Sequence, residues 1–370
     1  MSSSTGRITT GPFAHRTPTI RAVANVLLVG DYPPPYGGIS VQTARLHRRL
    51  SSTPGYACRV LDIGASRRRR RPECLPSRHP LELAARLLGH ALRGDIIHLH
   101  TNGHTPESWL LSFACACAGF LNGRKTVISF GSGLAPEFLG KARRPTRLFV
   151  RAVASLVGAI ICRNERTRQA LLAVGARPDK ITILSGFYGV DTDELPEVPP
   201  EVAAFHERHS PVALALDSRG PWYGIPLLLE AVARLRSRYP RFGLLLIGSG
   251  TSGMPVDPSY VLPTGELPHD MVLSVMRSVS VFVRPTICDG DSLSVREALA
   301  LRVPVVASDT DFRPEGVILF RRGDIDDLVT ALTRALQPPA GSAHAGADGD
   351  AFDRLLAVYE RLAPVGRETA

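Results

Sequence analysis

Twice along this chain, short apolar runs alternate with stretches of helical period, and this double alternation restricts the fold more than any other feature. In the first half the runs are Asn25–Val29, Arg59–Ile63, Asp95–His100, Lys125–Phe130, Ala159–Cys162 and Ile181–Leu184. Between them, helices are expected at about Ser40–Leu50 (with Ser40 as its cap), Leu81–Leu92, Trp109–Leu121, Arg144–Val157 and Glu165–Val174. Ser66–Pro80 reads as a long Arg- and Pro-rich loop. Strands that are apolar throughout, rather than on alternate residues, need cover on both faces, which calls for a parallel sheet between two helical layers. After a Pro/Glu-rich link at Asp191–Val202 the pattern restarts with strand Val212–Leu216, helix Ile225–Tyr239 and strand Gly243–Ile247. At 370 residues the chain is long enough for two cores. The expected fold is α/β, with two doubly wound Rossmann-like domains, after a polar stretch at 1–21 read as disordered.

The segment from Val283 to Glu297 carries the most chemistry. Its acidic residue Asp289 stands eight positions before Glu297. An apolar strand, Val279–Val283, precedes it, a helix over Leu293–Leu301 follows, and Val303–Ala307 reads as the next strand. A strand, a short polar turn and a helix gather backbone N–H groups and the positive end of a helix dipole, a site suited to a diphosphate. Glu297, about one turn into that helix, is left to meet neutral hydroxyls such as those of a ribose.

This segment resembles the acidic-x7-acidic motif of retaining, nucleotide-sugar-dependent glycosyltransferases of the GT-B fold, family 4. Asp289 stands for the family's first Glu, and Asp291-Ser292 for its apolar-Gly pair. The loop Pro33–Ser40, with Gly37 and Gly38, is similar to the family's Gly-Gly loop, which faces the donor diphosphate and the acceptor. Read from residues alone, it is a strand-to-helix turn where a missing Cβ lets a ligand approach. The resemblance runs from about Asn25 to Leu362. It implies an acceptor-side domain at 22–190, a nucleotide-sugar-binding domain at 203–340, and a last helix, 351–363, that crosses back to the first. It also implies that Asp289 contacts the donor sugar, Glu297 the ribose, and the amides of Asp291, Ser292 and Leu293 the phosphates.

Two departures accompany the resemblance. Gly131, after strand 125–130, replaces the family's His at the reacting centre; Ser132, Glu137 and His104 are the candidates to compensate. In Asp217–Gly224, Tyr223 replaces a Lys that would brace the diphosphate, which leaves Arg219 to supply one charge. Arg284, Arg296 and Arg313 are further possible phosphate partners. Among His98, His100, Asn102 and His104, the last two lie beyond the strand's carboxyl end, where ligands of doubly wound sheets bind. His104 is accordingly grouped with Asp289 and Glu297 as catalytic, and Asn102, His104, Ser132 and Glu137 as acceptor-side. Ordinary core histidines are the competing reading, and a metal site lacks a completing carboxylate or Cys.

Asp-x-Asp occurs at 191–193, 289–291 and 309–311 among other places, too freely to signal a metal, and no metal or cofactor is expected. Gly248-x-Gly250 is a weak dinucleotide fingerprint. Cys58, Cys74, Cys115, Cys117, Cys162 and Cys288 lack metal spacing and are read as free thiols. Residues 1–190 hold 27 Lys and Arg against 9 Asp and Glu; the remainder holds 17 against 25. The first half, with the run Arg67–Arg71, is thus expected to meet something anionic, with membrane headgroups preferred over nucleic acid for want of an aromatic-interleaved basic stripe. The N-terminal stretch lacks the apolar core of a secretory signal, so the expected location is cytoplasmic or peripheral at the inner face of the plasma membrane. Together these features describe a glycosyltransferase that uses a nucleotide-sugar donor and a lipid-linked or polysaccharide acceptor. The rival readings are an inactive GT-B scaffold subunit and a sugar-nucleotide epimerase.

Overall fold

The computed structural model describes residues 24–363, apart from 70, 132, 191–194, 218–219, 252, 311 and 338–349. The segment 1–21, Ser132 and Arg219 lie outside the described residues. The first domain runs β1 (Ala24–Gly30), α1 (Gly38–Ser51), β2 (Tyr56–Asp62), β3 (Cys74–Leu75), α2 (Pro80–Leu92), β4 (Ile96–Thr101) and α3 (Pro106–Phe120). It continues with β5 (Thr126–Phe130), α4 (Ala135–Lys141), α5 (Arg144–Leu156), β6 (Ala159–Cys162), α6 (Glu165–Ala173) and β7 (Ile181–Ile183). The seven strands are parallel, in the order β3-β2-β1-β4-β5-β6-β7.

The second domain runs α7 (Pro200–Arg208), β8 (Val212–Leu216), α8 (Ile225–Leu235), β9 (Gly243–Ile247), β10 (Val261–Gly265), α9 (His269–Ser278) and β11 (Val281–Arg284). Next come α10 (Leu293–Ala300), β12 (Val305–Ser308), β13 (Ile318–Phe320) and α11 (Ile325–Ala335). Its six parallel strands are ordered β10-β9-β8-β11-β12-β13. In each sheet the order reverses beside the first strand, at β1/β4 and at β8/β11. A doubly wound sheet opens its ligand crevice at such a switch point.

Each sheet is buried on both faces, as its apolar strands require. Leu27, Val29, Ile97, Leu99 and Ile128 pack under α2, α3, α5 and α6, while Val26, Leu28, Ile96 and Val127 pack against α1 on the other face. That second face is completed by α12 (Asp350–Leu362), which comes after the second domain in the chain but lies on the first. Its buried residues Ala351, Phe352, Leu355, Val358 and Tyr359 follow the helical period, so one stripe faces the sheet. Tyr359 reaches His98, whose Nδ1 lies 2.5 Å from the phenol oxygen and whose Nε2 lies 2.7 Å from Ser129 Oγ. In the second domain α8 and α11 cover one face and α7, α9 and α10 the other.

Several boundaries differ from expectation for local reasons. Helix α1 starts at Gly38, two residues before Ser40. Ser40 is the third helical residue, and its hydroxyl accepts from Gly37 N at 2.9 Å and bonds back to Pro35 O at 2.8 Å. Helix α8 ends at Leu235 rather than Tyr239, and the loop Ser66–Pro80 contributes the short edge strand β3. The expected link, described from residue 195 onward, runs into α7 at Pro200.

Candidate functional site

The carboxyl ends of the two sheets face one another across a cavity of about 870 Å³. The loops after β1, β2, β4, β5, β6 and β7 line it from the first domain, and those after β8, β9, β10 and β11 from the second. Gly37, Gly38, Asn102, His104, Asp289, Asp291, Ser292, Leu293 and Glu297 are all brought to this cavity. Glu137 is not. It lies exposed on α4, 3.9 Å from Arg166, because the buried stripe of that short helix is formed by Ala135 and Leu139.

Glu297 sits in the second turn of α10, 2% exposed. Its Oε1 lies 2.8 Å from Arg45 Nη1 of α1 and 2.8 Å from His269 Nε2 of α9. Burial alone would raise this carboxyl, but His269 and Arg45 outweigh it and hold it below the usual carboxylate range. The first turn of α10 has no acidic residue, and its cap residue Ser292 makes no capping bond; its hydroxyl lies instead 3.1 Å from Ser294 Oγ. Helix N–H donors uncapped by a side chain therefore open at the cavity wall, where they suit an anion.

The loop that presents this helix is fixed by arginines. Asp289 Oδ2 accepts from Arg284 Nε at 3.0 Å, Thr286 Oγ1 at 3.2 Å and Arg313 Nη1 at 2.9 Å. Burial pushes its pKa up, and the two guanidinium groups more than reverse that push. Asp291 Oδ1 accepts from Arg296 Nε at 2.6 Å, while its Oδ2 is buried without a partner. Arg284, Arg296 and Arg313, expected as possible phosphate partners, are thus engaged with the motif's own carboxylates. Tyr223, in the place of the expected Lys, lies beneath Arg284, with its ring centroid 5.1 Å from the guanidinium carbon.

First-domain groups close on this loop and on the one after β10. Asn164 Nδ2 donates to Gly290 O at 3.1 Å, and Tyr36 N donates to Glu266 Oε1 at 2.6 Å. Gly133 packs so closely that a Cβ there would lie 2.7 Å from the carbonyl atoms of Asp289. A Cβ on Gly131 would meet Ile39 Cγ1 at 2.9 Å, so Ile39 borders the position where the expected His would project. His98 and His100 are buried in the sheet interior, unlike Asn102 and His104 one turn of chain further on. Burial and, after it, Arg163 push the His100 pKa down to about 3, and His98 is likewise lowered by burial, His100 and Arg163.

Arg45, Gln42, Arg163, Asn164, Glu266 and His269 belong to the site but carry no local sequence signal. Arg45, Asn164 and Glu266 meet it through contacts between the two domains, and His269 through Glu297 of the next helix. Among the described residues no group of His, Cys, Asp or Glu is arranged to hold a metal ion. None of the helices among these residues is long and apolar enough to cross a membrane.

Comparison with known proteins agrees with this geometry. Residues 213–338, which contain the motif, match the family model of group 1 glycosyl transferases. Over 187 residues, 44% of this chain, the sequence is 29% identical to a GDP-mannose-dependent alpha-(1-6)-phosphatidylinositol monomannoside mannosyltransferase of Mycolicibacterium smegmatis. That match spans about half (49%) of the relative's length. Among solved structures, Anabaena HepE in complex with UDP superposes over 92% of this chain and 98% of its own, with a TM-score of 0.62 at 15% identity. Sucrose-phosphate synthase from Thermosynechococcus elongatus does so over 92% and 96%, with a TM-score of 0.61 at 16% identity. The two facing Rossmann-like domains are the GT-B architecture.

Proposed function

We propose that the protein transfers a sugar from a nucleoside-diphosphate sugar to an acceptor, with retention at the anomeric carbon. The observation that carries this reading is the buried, ionised Glu297 one turn beyond the open N–H groups of α10, within the segment that matches the group 1 family model. A diphosphate on Ser292–Ser294 would place the ribose hydroxyls toward Glu297, and the sugar toward Asn102 and His104 across the cleft. Positioning and charge stabilisation would do the work, with same-face attack assisted by the leaving phosphate and no dedicated protein nucleophile.

The acceptor is proposed to be lipid-linked, or a polysaccharide precursor, presented at an anionic membrane surface. Leu81, Leu92, Leu110, Leu121 and Leu148 are between 63% and 80% exposed, on or beside α2, α3 and α5, which form one layer of the basic first domain. Arg143, Arg144 and Arg151 are exposed on or beside α5. Apolar and cationic side chains on one layer suit a headgroup surface, and each nearby charge contributes about 1 kcal/mol.

Thermal unfolding against UDP, GDP and ADP, with and without EDTA, tests the donor site. Ligand at about 100 times its dissociation constant adds roughly 2.7 kcal/mol. A selective shift that EDTA leaves in place, and that Glu297→Ala abolishes, is the expected result. The absence of any nucleotide shift in folded protein would favour a scaffold subunit, a reading that draws on Gly131 and Tyr223.

A further inference from the structure

We infer that Arg163 and Gln42 form a subsite for a phosphoryl group on the first-domain wall of the cleft. Both residues line the cavity, Arg163 just after β6 and Gln42 in the second turn of α1, and they are only 4% and 5% exposed. Arg163 Nη1 donates to Leu184 O at 2.8 Å, but Nη2 is buried with no well-aligned acceptor, and so is Gln42 Nε2. Among the described residues no carboxylate pairs with Arg163. The Tyr188 phenol hydrogen-bonds with the Arg163 and Gln42 side chains, but burial keeps it neutral, so it supplies no counter-charge. Arg45, Arg284, Arg296 and Arg313 around the same cleft each lie within 3.0 Å of a carboxylate. A guanidinium removed from water with no counter-charge is costly to bury, and a bound oxyanion removes that cost.

The surroundings fit such a ligand. A Cβ on Gly186 would lie 3.0 Å from both Arg163 Cζ and Gln42 Cδ, so its absence lets the two groups converge. They come from different elements, so their donors need not be coplanar, which suits a tetrahedral phosphate better than a flat carboxylate. The adjacent Asn164 ties this wall to the motif loop through Gly290 O. The subsite deepens the glycosyltransferase reading and rests on it for the choice of ligand. The phosphate is carried either by the acceptor or by the donor as its diphosphate.

The test is thermal unfolding of the full chain in potassium phosphate, against chloride and acetate of equal ionic strength, together with calorimetric titration of UDP and GDP. Wild type, Arg163→Gln and Gly186→Ala are compared. Phosphate is expected to stabilise wild type selectively, and Arg163→Gln to weaken phosphate at least about tenfold, as loss of a charge-assisted hydrogen bond does. Gly186→Ala, which keeps the charge but displaces it, should also weaken phosphate. It decides the matter should Arg163→Gln fail to fold. Unchanged nucleotide affinity in these variants assigns the subsite to a phosphorylated acceptor; parallel loss assigns it to the donor diphosphate. No selective phosphate effect in wild type, or one that survives both substitutions, overturns the proposal. Nucleotide binding lost with Glu297→Ala would then still support the donor site. Phosphate binding that depends on Arg163, in a chain that binds no nucleotide, would sink the donor reading and leave this subsite standing.

Discussion

Arg45 Nη1 of the first domain lies 2.8 Å from Glu297 Oε1 of the second, so the carboxylate proposed to hold the ribose also joins the two halves of the cleft. The side chains are 14% and 3% exposed, so the pair is shielded from water and its loss is felt. Arg45→Ala is expected to destabilise the chain by about 1–3 kcal/mol, because it leaves Glu297 with His269 alone. Urea unfolding measures this, and a change within error would show that the ion pair contributes nothing.

Acid should act in two overlapping windows. His98 and His100 have folded pKa values below the ordinary histidine value, so between pH ~6.5 and the folded values the unfolded chain binds protons that the folded one refuses. Stability therefore falls as pH drops from about 7 toward 5, at up to about 1.4 kcal/mol per pH unit for each histidine. Glu297 and Asp289 are lowered, so their contribution is complete above about pH 4.5 and lost only below it. His100→Asn should flatten the upper window in stability-versus-pH measurements. An unchanged slope would contradict the buried neutral assignment.

Two nearby glycines, Gly133 and Gly140, should respond in opposite directions. Gly133→Ala forces a Cβ to 2.7 Å from Asp289 backbone and should open the cleft, seen as a larger radius of gyration in solution scattering and weaker nucleotide binding. Gly140→Ala, inside α4 with nothing within 4 Å, should instead stabilise by up to about 1 kcal/mol. Equal behaviour of the two would mean that Gly133 does not set the domain approach.

Placing a histidine at position 131, as in the glycosyltransferases the motif resembles, needs more than one change. Gly131→His is expected to lower the melting temperature, because its Cβ would meet Ile39 at 2.9 Å. Ile39→Ala combined with Gly131→His should relieve that loss. If the single variant proves as stable as wild type, Ile39 is not the obstacle.

For the layer proposed to face a membrane, Arg144→Glu with Arg151→Glu should reduce co-sedimentation with anionic vesicles and leave neutral vesicles unaffected. Salt should have the same effect as the substitutions. Binding that ignores both would place the docking surface elsewhere.

The inner strands were legible because they are apolar on both sides, and helix α10 because a polar turn separates two such strands. Edge strand β10 was not legible, since Leu262, Pro263, Thr264 and Gly265 are only half-buried and carry no buried-strand signature. Helix α7 carries no sequence signal of its own, because it starts at Pro200 inside a segment whose prolines read as a link. Site residues were readable where they come just after strands, as Asn102, His104 and Asp289 do. Arg45, Asn164, Glu266 and His269 were not, because each is selected by a partner far away in sequence, such as Glu297 for Arg45 or Gly290 for Asn164. Glu137 follows a strand closely enough to suggest the cleft, yet it lies on the outer face of α4.

The lodging of α12 on the first sheet has a consequence for biosynthesis. Until the residues beyond 350 have left the ribosome, the first domain lacks the helix that covers one face of its interior, and His98 lacks its phenol partner. The second domain, although made later, has all its own strands in hand before that moment. It can therefore close its interior first, reversing the usual order in which the amino-terminal unit of a growing chain is finished before the later one.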